Sequence, residues 1–135
     1  LVDGAEAVCT PVTVGNPHAV LFVNDIDKVP LTTLGPKLER HTAFPDGVNV
    51  EFVQVLGNNA LRMRVWERGS GVTMACGTGA CASVMAAISK NYCCYDAPVA
   101  VHLDGGTLVI RIASDNTVKM TGPAEIVYEG ETKLC

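Results

Sequence analysis

Residues 79–90 read GACASVMAAISK, and what this run folds into decides the architecture. Its side chains are almost all small. A helix of that kind lets neighbouring backbone approach closely, so it is expected at the centre of the molecule rather than on its surface. Directly before it, residues 74–81 read MACGTGAC, placing Cys76 where a strand-like segment turns into the helix.

The flanking segments read as strands. Residues 8–14 (VCTPVTV) carry Pro11, which suits an edge or a strand start. After the turn at 15–18 (GNPH), residues 19–23 (AVLFV) resume as a buried strand. Residues 30–41 (PLTTLGPKLERH) suit a helix with a Gly-Pro break near its middle. Residues 48–56 and 60–66 alternate, and 57–59 (GNN) give a hairpin signal between them. Residues 67–73 (ERGSGVT) read as a glycine-punctuated loop. Strands are expected at 99–103, 107–112, 117–121 and 125–128, separated by Asp-Gly-Gly and Ser-Asp-Asn turns. The expected fold is therefore α+β: one domain over residues 1–135, a mostly antiparallel, barrel-like curled sheet wrapped around a central helix.

Composition narrows the function classes. The 135 residues are 48% hydrophobic and 18% charged with a formal net charge of −4, which fits a core-bearing domain. The basic residues are scattered, so neither nucleic acid nor an anionic membrane is an expected partner. No apolar run approaches the ~20 residues of a bilayer span. The six cysteines (Cys9, Cys76, Cys81, Cys93, Cys94 and Cys135) form no CxxC pair, so no metal site is expected and reduced thiols are the default. That points to the cytoplasm, or to a plastid stroma in a plant. The chain opens on Leu-Val-Asp-Gly, which reads as an excised or processed piece.

A thiol at a helix start has specific chemistry open to it. Unpaired N–H groups and the positive end of the helix dipole stabilise an anion there. The Cys76 pKa is expected to move down toward neutrality, giving an acid and a base. Gly77 and Gly79 would leave the amides open to a carboxylate, and Thr78 adds a hydroxyl. Taken singly, such a cysteine is more often a small buried hydrophobe, and Cys81 reads as core. Likewise His18, Asn49 and the Glu67-Arg68 pair each have an ordinary structural reading. Together, Asn16, His18, Asn49, Glu67, Arg68 and Cys76 offer amide anchors, a titrating base, an acid, a carboxylate clamp and a thiol. That set fits an amino-acid site.

Four blocks in this order, GNPHAVLFV (15–23), FPDGVNVEFV (44–53), RVWERGSGVTMACGTGACAS (64–83) and MTGPAEIVYEGE (120–131), closely resemble the C-terminal half of the diaminopimelate epimerase family, over about residues 12–131. Proline racemase and phenazine-pathway isomerases share the architecture but not the full set of motifs. The resemblance implies cofactor-independent inversion at one α-carbon of LL-diaminopimelate, giving the meso isomer used for lysine and peptidoglycan precursors, with no pyridoxal phosphate. Two cysteines on opposite faces of the carbon would exchange the proton, one from each of two similar half-domains. Carried over, Cys76 is the acid/base cysteine of this half. Asn16, Asn49, Glu67, Arg68, Gly77 and Thr78 are substrate contacts, and His18 and Glu67 tune the thiol. The family's other cysteine, in a Cys-Gly-Asn-Gly block, has no counterpart here, so the partners implied are a small amino-acid substrate and a missing N-terminal half. This chain alone is expected to be inactive or to act only as a binding module, or else to be a related isomerase. Trp66, the 67–71 loop and the helix start are expected to border the inter-domain cleft and to promote self-association.

Overall fold

The computed structural model describes residues 1–133. One sheet contains β1 (Thr10–Thr13), β2 (Pro17–Phe22), β3 (Asn49–Gly57), β4 (Ala60–Glu67), β5 (Gly71–Thr73), β6 (Pro98–Leu103), β7 (Gly106–Ile112) and β8 (Val118–Thr121). Two helices accompany it, α1 (Leu31–Glu39) and α2 (Gly77–Ser89), with a 3-10 turn at Ile26–Lys28. The strand order is β1-β2-β3-β4-β6-β7-β8, and β5 branches off β4.

Most neighbours are antiparallel, but β2 pairs parallel with β3 and β4 with β6. A parallel pair needs a crossover, and the two helices supply them. Helix α1 connects β2 to β3, and α2 connects β4 to β6. They cover opposite faces of the sheet. One core gathers α2 with Val20, Val53, Leu61, Met63, Val65, Val99, Val101, Ile110 and Ile112. The other gathers Ile26, Leu31 and Leu38 with Ala19, Leu21, Val50 and Phe52. Helix α2 touches β1 to β4 and β6 to β8, so the sheet curls around it as the small-residue run implied. Between the β1 side and β8 the curl stays open, leaving a groove lined by Val14, Thr78, Cys81, Met85, Tyr95 and Val118.

Strand period 2 then fixes which side chains meet. On β2, His18 and Val20 face α2 while Ala19 and Leu21 face α1; on β3, Glu51 and Val53 face α2 while Val50 and Phe52 face α1. Because both faces are covered, β3 is buried from Asn49 through Val53 instead of showing one wet side. The Gly57-Asn58-Asn59 turn closes β3 onto β4 with positive φ at Asn58 (50°) and Asn59 (54°), as a two-residue hairpin of primed type demands.

Four expectations are corrected. Residues 71–73 are not loop: after a turn at 68–70 they form β5 and pair back onto β4, with Glu67 opposite Gly71. Helix α1 runs unbroken through Gly35 and Pro36. Gly35 serves packing there, since a Cβ on it would lie 2.5 Å from Trp66 Cγ. Trp66 accordingly packs against α1, with Gly35 and Gly71 beside its ring, and does not present itself to a cleft. Residues 125–128 form no strand and lie exposed. Among the described residues no helix is long and apolar enough to cross a membrane.

Candidate active site

Cys76 caps α2. Its backbone is extended (φ −146°, ψ 106°), and its sulfur accepts the Gly79 amide proton at 3.3 Å. A polar N-cap atom satisfies one of the orphan amides of a first helical turn, so the local sequence holds the sulfur at the helix end. Thr78 Oγ1 lies 3.7 Å from the same sulfur. From Thr78 a chain of polar contacts runs inward. Asn16 Nδ2 donates to Thr78 Oγ1 at 3.3 Å, and Asn16 Oδ1 faces His18 Nε2 at 3.0 Å. His18 Nδ1 meets Glu51 Oε1 at 2.6 Å.

The strand ends supply the rest. Asn49, opposite His18 in the β2–β3 register, donates from Nδ2 to the Pro17 carbonyl at 3.1 Å and accepts the Arg68 amide on Oδ1 at 2.9 Å. Its amide thus ties the start of β2 to the end of β4. The Arg68 guanidinium is exposed and donates to the Asp46 carbonyl at 3.1 Å. Glu67 accepts the Thr73 hydroxyl at 2.7 Å across the β4–β5 turn. The sequence-derived set therefore converges in part: Cys76, Thr78, Asn16 and His18 form one chain, while Asn49, Glu67 and Arg68 are organised around the β4–β5 corner.

The two glycines differ in what surrounds them. A Cβ at Gly79 would lie 2.8 Å from Glu51 Oε1 and 3.1 Å from Cys76 Sγ, so this glycine admits protein groups and not a ligand. At Gly77 the nearest neighbour is the Met120 thioether, 3.1 Å from such a Cβ. The thiol also differs from expectation. Partial burial pushes the Cys76 pKa up; the Gly79 amide and Thr78 hydroxyl oppose this, and the Glu67 carboxylate adds to it. Burial outweighs the helix-end donors.

Glu51 is the residue that sequence reasoning passed over. It is 0% exposed, and burial raises its pKa, with His18 opposing and Glu67 adding. A signal was present: a lone carboxylate inside VNVEFV, a run buried on both faces. Cys9, Cys76, Cys81, Cys93 and Cys94 are free thiols, and Cys135 lies outside the described residues. No cluster of His, Cys, Asp or Glu among the described residues is arranged to hold a metal.

The sequence model of the family described as diaminopimelate epimerase matches residues 10–127. This chain belongs to the diaminopimelate epimerase family. It is 54% identical over 128 residues to the diaminopimelate epimerase of Bacillus licheniformis, covering 95% of this chain and 45% of that protein. To the Bacillus cytotoxicus enzyme it is 56% identical over 121 residues, covering 90% and 42%. To that of Geobacillus thermodenitrificans it is 53% identical over 129 residues, covering 96% and 44%. The chain thus spans less than half the length of these relatives.

Among solved structures, the fold is similar to a phenazine biosynthesis protein of the PhzF family from Bacillus anthracis, with TM-score 0.57, 18% identity and coverage of 83% of this chain and 37% of that one. A PhzF-family protein from Enterococcus faecalis gives TM-score 0.55 and 14% identity, with coverage of 74% and 35%. At these identities the likeness is one of fold. It agrees with the α+β curled sheet around a central helix.

Proposed function

We propose that this chain is one half of a diaminopimelate epimerase, contributing Cys76 as one of two acid/base thiols. The observation that carries the reading is the placement of the Cys76 sulfur at the start of α2, held by the Gly79 amide and beside the Thr78 hydroxyl, inside a family block. In the reaction, a thiolate on one face of the α-carbon takes its proton, and a thiol on the other face returns one. The electron pair left on carbon is stabilised by donors around the substrate carboxylate, so neither pyridoxal phosphate nor a metal is needed. The upward pKa direction of Cys76 suits the donor role: Cys76 rests as thiol, gives its proton, and then serves as base for the reverse reaction.

The second thiol has to come from elsewhere, because the sequence contains no Cys-Gly-Asn-Gly block. A complementary half of the kind that completes the longer relatives would supply it, together with the other wall of the substrate pocket. Within this half, Asn16, Arg68, Gly77 and Thr78 border the substrate, Asn49 sets the geometry of the β4 end, and His18 and Glu67 adjust the thiol. Such an enzyme works in the cytoplasm on a small dicarboxylic diamino acid.

The test is epimerisation of LL-diaminopimelate, with deuterium incorporation from solvent, by the 135-residue chain alone and after mixing with the N-terminal half of the Bacillus licheniformis relative. The expected result is no turnover alone and turnover on mixing, abolished by Cys76→Ser. Turnover by the chain alone at the level of an intact relative, or turnover indifferent to Cys76→Ser, overturns the reading.

A further inference from the structure

Glu51 and His18 are 0% and 1% exposed, their contact is 2.6 Å, and among the described residues no lysine or arginine pairs with the carboxyl. Such a pair allows few arrangements of protons. Asn16 donates from Nδ2 to Thr78, so its Oδ1 is the atom turned to His18 Nε2. Nε2 must therefore carry hydrogen, since two acceptors cannot share a 3.0 Å contact. At the other end, an unprotonated Nδ1 against an ionised Oε1 would set lone pair against lone pair. A proton must lie between them.

The second oxygen decides where it sits. Glu51 Oε2 is buried with no hydrogen-bond partner among the described residues. An ionised carboxylate with half its charge unpartnered in the core is expensive, whereas the carbonyl oxygen of a neutral acid left unpaired is much less so. The proton then belongs on Oε1, donated to Nδ1 of a neutral ring. The groups facing Glu51 fit this. His18 comes from β2, Cys76 and the close-packed Gly79 from the start of α2, and Glu67, a like charge, from the end of β4. The Arg68 guanidinium is directed to the Asp46 carbonyl.

With the proton so placed, every later contact has one polarity: Oε1–H to Nδ1, Nε2–H to Asn16 Oδ1, Asn16 Nδ2–H to Thr78 Oγ1. Thr78 Oγ1, already accepting, has its own hydrogen free for the Cys76 sulfur 3.7 Å away. We propose that Glu51 is a positioning residue for Cys76: the proton it holds against His18 Nδ1 orients His18, Asn16 and Thr78 so that a hydroxyl donor is aimed at the sulfur. This rests on the reading of Cys76 as the acid/base thiol, and it assigns Glu51 a place in that site. A donor at the sulfur leaves the S–H free to point outward and stabilises the thiolate once the proton has left.

Two measurements on the 135-residue chain test the arrangement, and neither needs turnover. The first is the nitrogen NMR of the His18 ring in the unaltered protein. The expected spectrum at neutral pH has hydrogen on Nε2 and an unprotonated, hydrogen-bond-accepting Nδ1, and a ring with hydrogen on both nitrogens would overturn the proposal. A ring carrying hydrogen on Nδ1 alone would mean a reversed Asn16 amide over an ionised Glu51, and overturns the proposal. The second is mass-mapped alkylation of Cys76 against pH in Glu51→Gln and Glu51→Leu. Gln can still donate to Nδ1, so its profile should match the parent. Leu cannot, and alkylation near neutral pH should slow by roughly three- to tenfold, the effect of one lost hydrogen bond on the thiolate. The sign is decisive: an ionised Glu51 acting by charge would make both variants faster, and that outcome, or no change in either, overturns the proposal. Absence of epimerisation in the mixing experiment would sink the functional reading and leave these two results standing.

Discussion

The indole N–H of Trp66 donates to the Glu39 carboxylate at 2.7 Å, locking the end of β4 onto the last turn of α1. Glu39 also accepts the Gly69 amide at 3.0 Å on its other oxygen. One side chain of α1 therefore holds both the strand that carries Glu67 and the turn that follows Arg68. The Trp66 hydrogen bond, ahead of the Gly69 amide and the Arg40 and Arg68 charges, keeps the Glu39 carboxyl below its ordinary range, with burial opposing. Because the folded pKa is depressed, the stabilisation is present above the ordinary carboxyl value of 4.5 and is lost as pH falls through the folded value. Trp66→Phe should lower stability by about 1 kcal/mol, the usual net value of one such bond. Urea titrations at neutral and acidic pH check this, and the difference from the parent should shrink on the acid side.

Gly79 and Gly77 look alike in the sequence and should respond differently to alanine. The added methyl at Gly79 meets the buried Glu51 carboxyl and the Cys76 sulfur, both held by other contacts. At Gly77 it meets only the Met120 thioether, the end of a flexible, half-exposed side chain. Gly79→Ala should destabilise the domain by about 1–3 kcal/mol, as overpacking of a filled site does, and should disturb alkylation of Cys76. Gly77→Ala should be nearly silent in thermal unfolding. Equal effects would mean that the Glu51 carboxyl can move aside.

Glu51→Gln should become more stable relative to the parent as pH rises. The folded pKa of Glu51 is raised by burial, so the parent is at its best below the unfolded value and loses stability upward, where only the unfolded chain ionises freely. Gln does not titrate. Urea unfolding of both proteins should therefore give a difference close to constant on the acid side of 4.5, the unperturbed value, and growing in favour of Gln toward neutrality. A difference that grows in favour of Glu would show that the carboxylate is stabilised where it lies.

How far the sequence reached is visible at particular residues. The small-residue run announced α2 and its central place, and the strand periods placed β2, β3, β4, β6 and β7 within a residue or two. Alternation cannot reveal that a strand is covered twice. That is why β3, with α1 on one face and α2 on the other, hid Glu51 among its ordinary alternating positions. Nor does local pattern distinguish glycine as breaker from glycine as contact: Gly35 and Pro36 read as a break, yet the missing Cβ at Gly35 makes room for Trp66. The thiol direction was misjudged for a related reason. The helix-end donors are local and legible, while burial and the Glu67 carboxylate reach Cys76 only through the tertiary fold.

Cys76 should alkylate faster than Cys81, and for reasons of access rather than acidity. Burial raises both thiols, but Cys81 lies inside α2 at 9% exposure and lacks the sulfur-directed amide that Cys76 has from Gly79. Thiolate supply and exposure together set the rate. Mass-mapped iodoacetamide labelling at about neutral pH is the measurement, since that is where a raised thiol is mostly protonated. Equal slow labelling at both positions would place Cys76 among the inert core cysteines.

The segment after β8 should carry the chain's tendency to associate. Residues 125–128 have a strand-like pattern, but a strand needs a neighbour to satisfy its backbone, and none of the described strands pairs with them. Ile126, Val127 and Tyr128 are 83%, 90% and 84% exposed in consequence. Trp66, by contrast, is packed on α1, so Trp66→Asp is expected to unfold the β4 end without abolishing self-association. A chain ending at Gly122 removes the exposed apolar side chains and little that is buried, so its stability should stay within about 0.5 kcal/mol of the parent, as for surface changes generally. Sedimentation at several concentrations should show the parent associating and the shortened chain less so, and limited proteolysis of the parent should cut first between 123 and 133. A shortened chain that is several kcal/mol less stable, or that associates as before, would mean that these residues pack against the domain or that another face drives association.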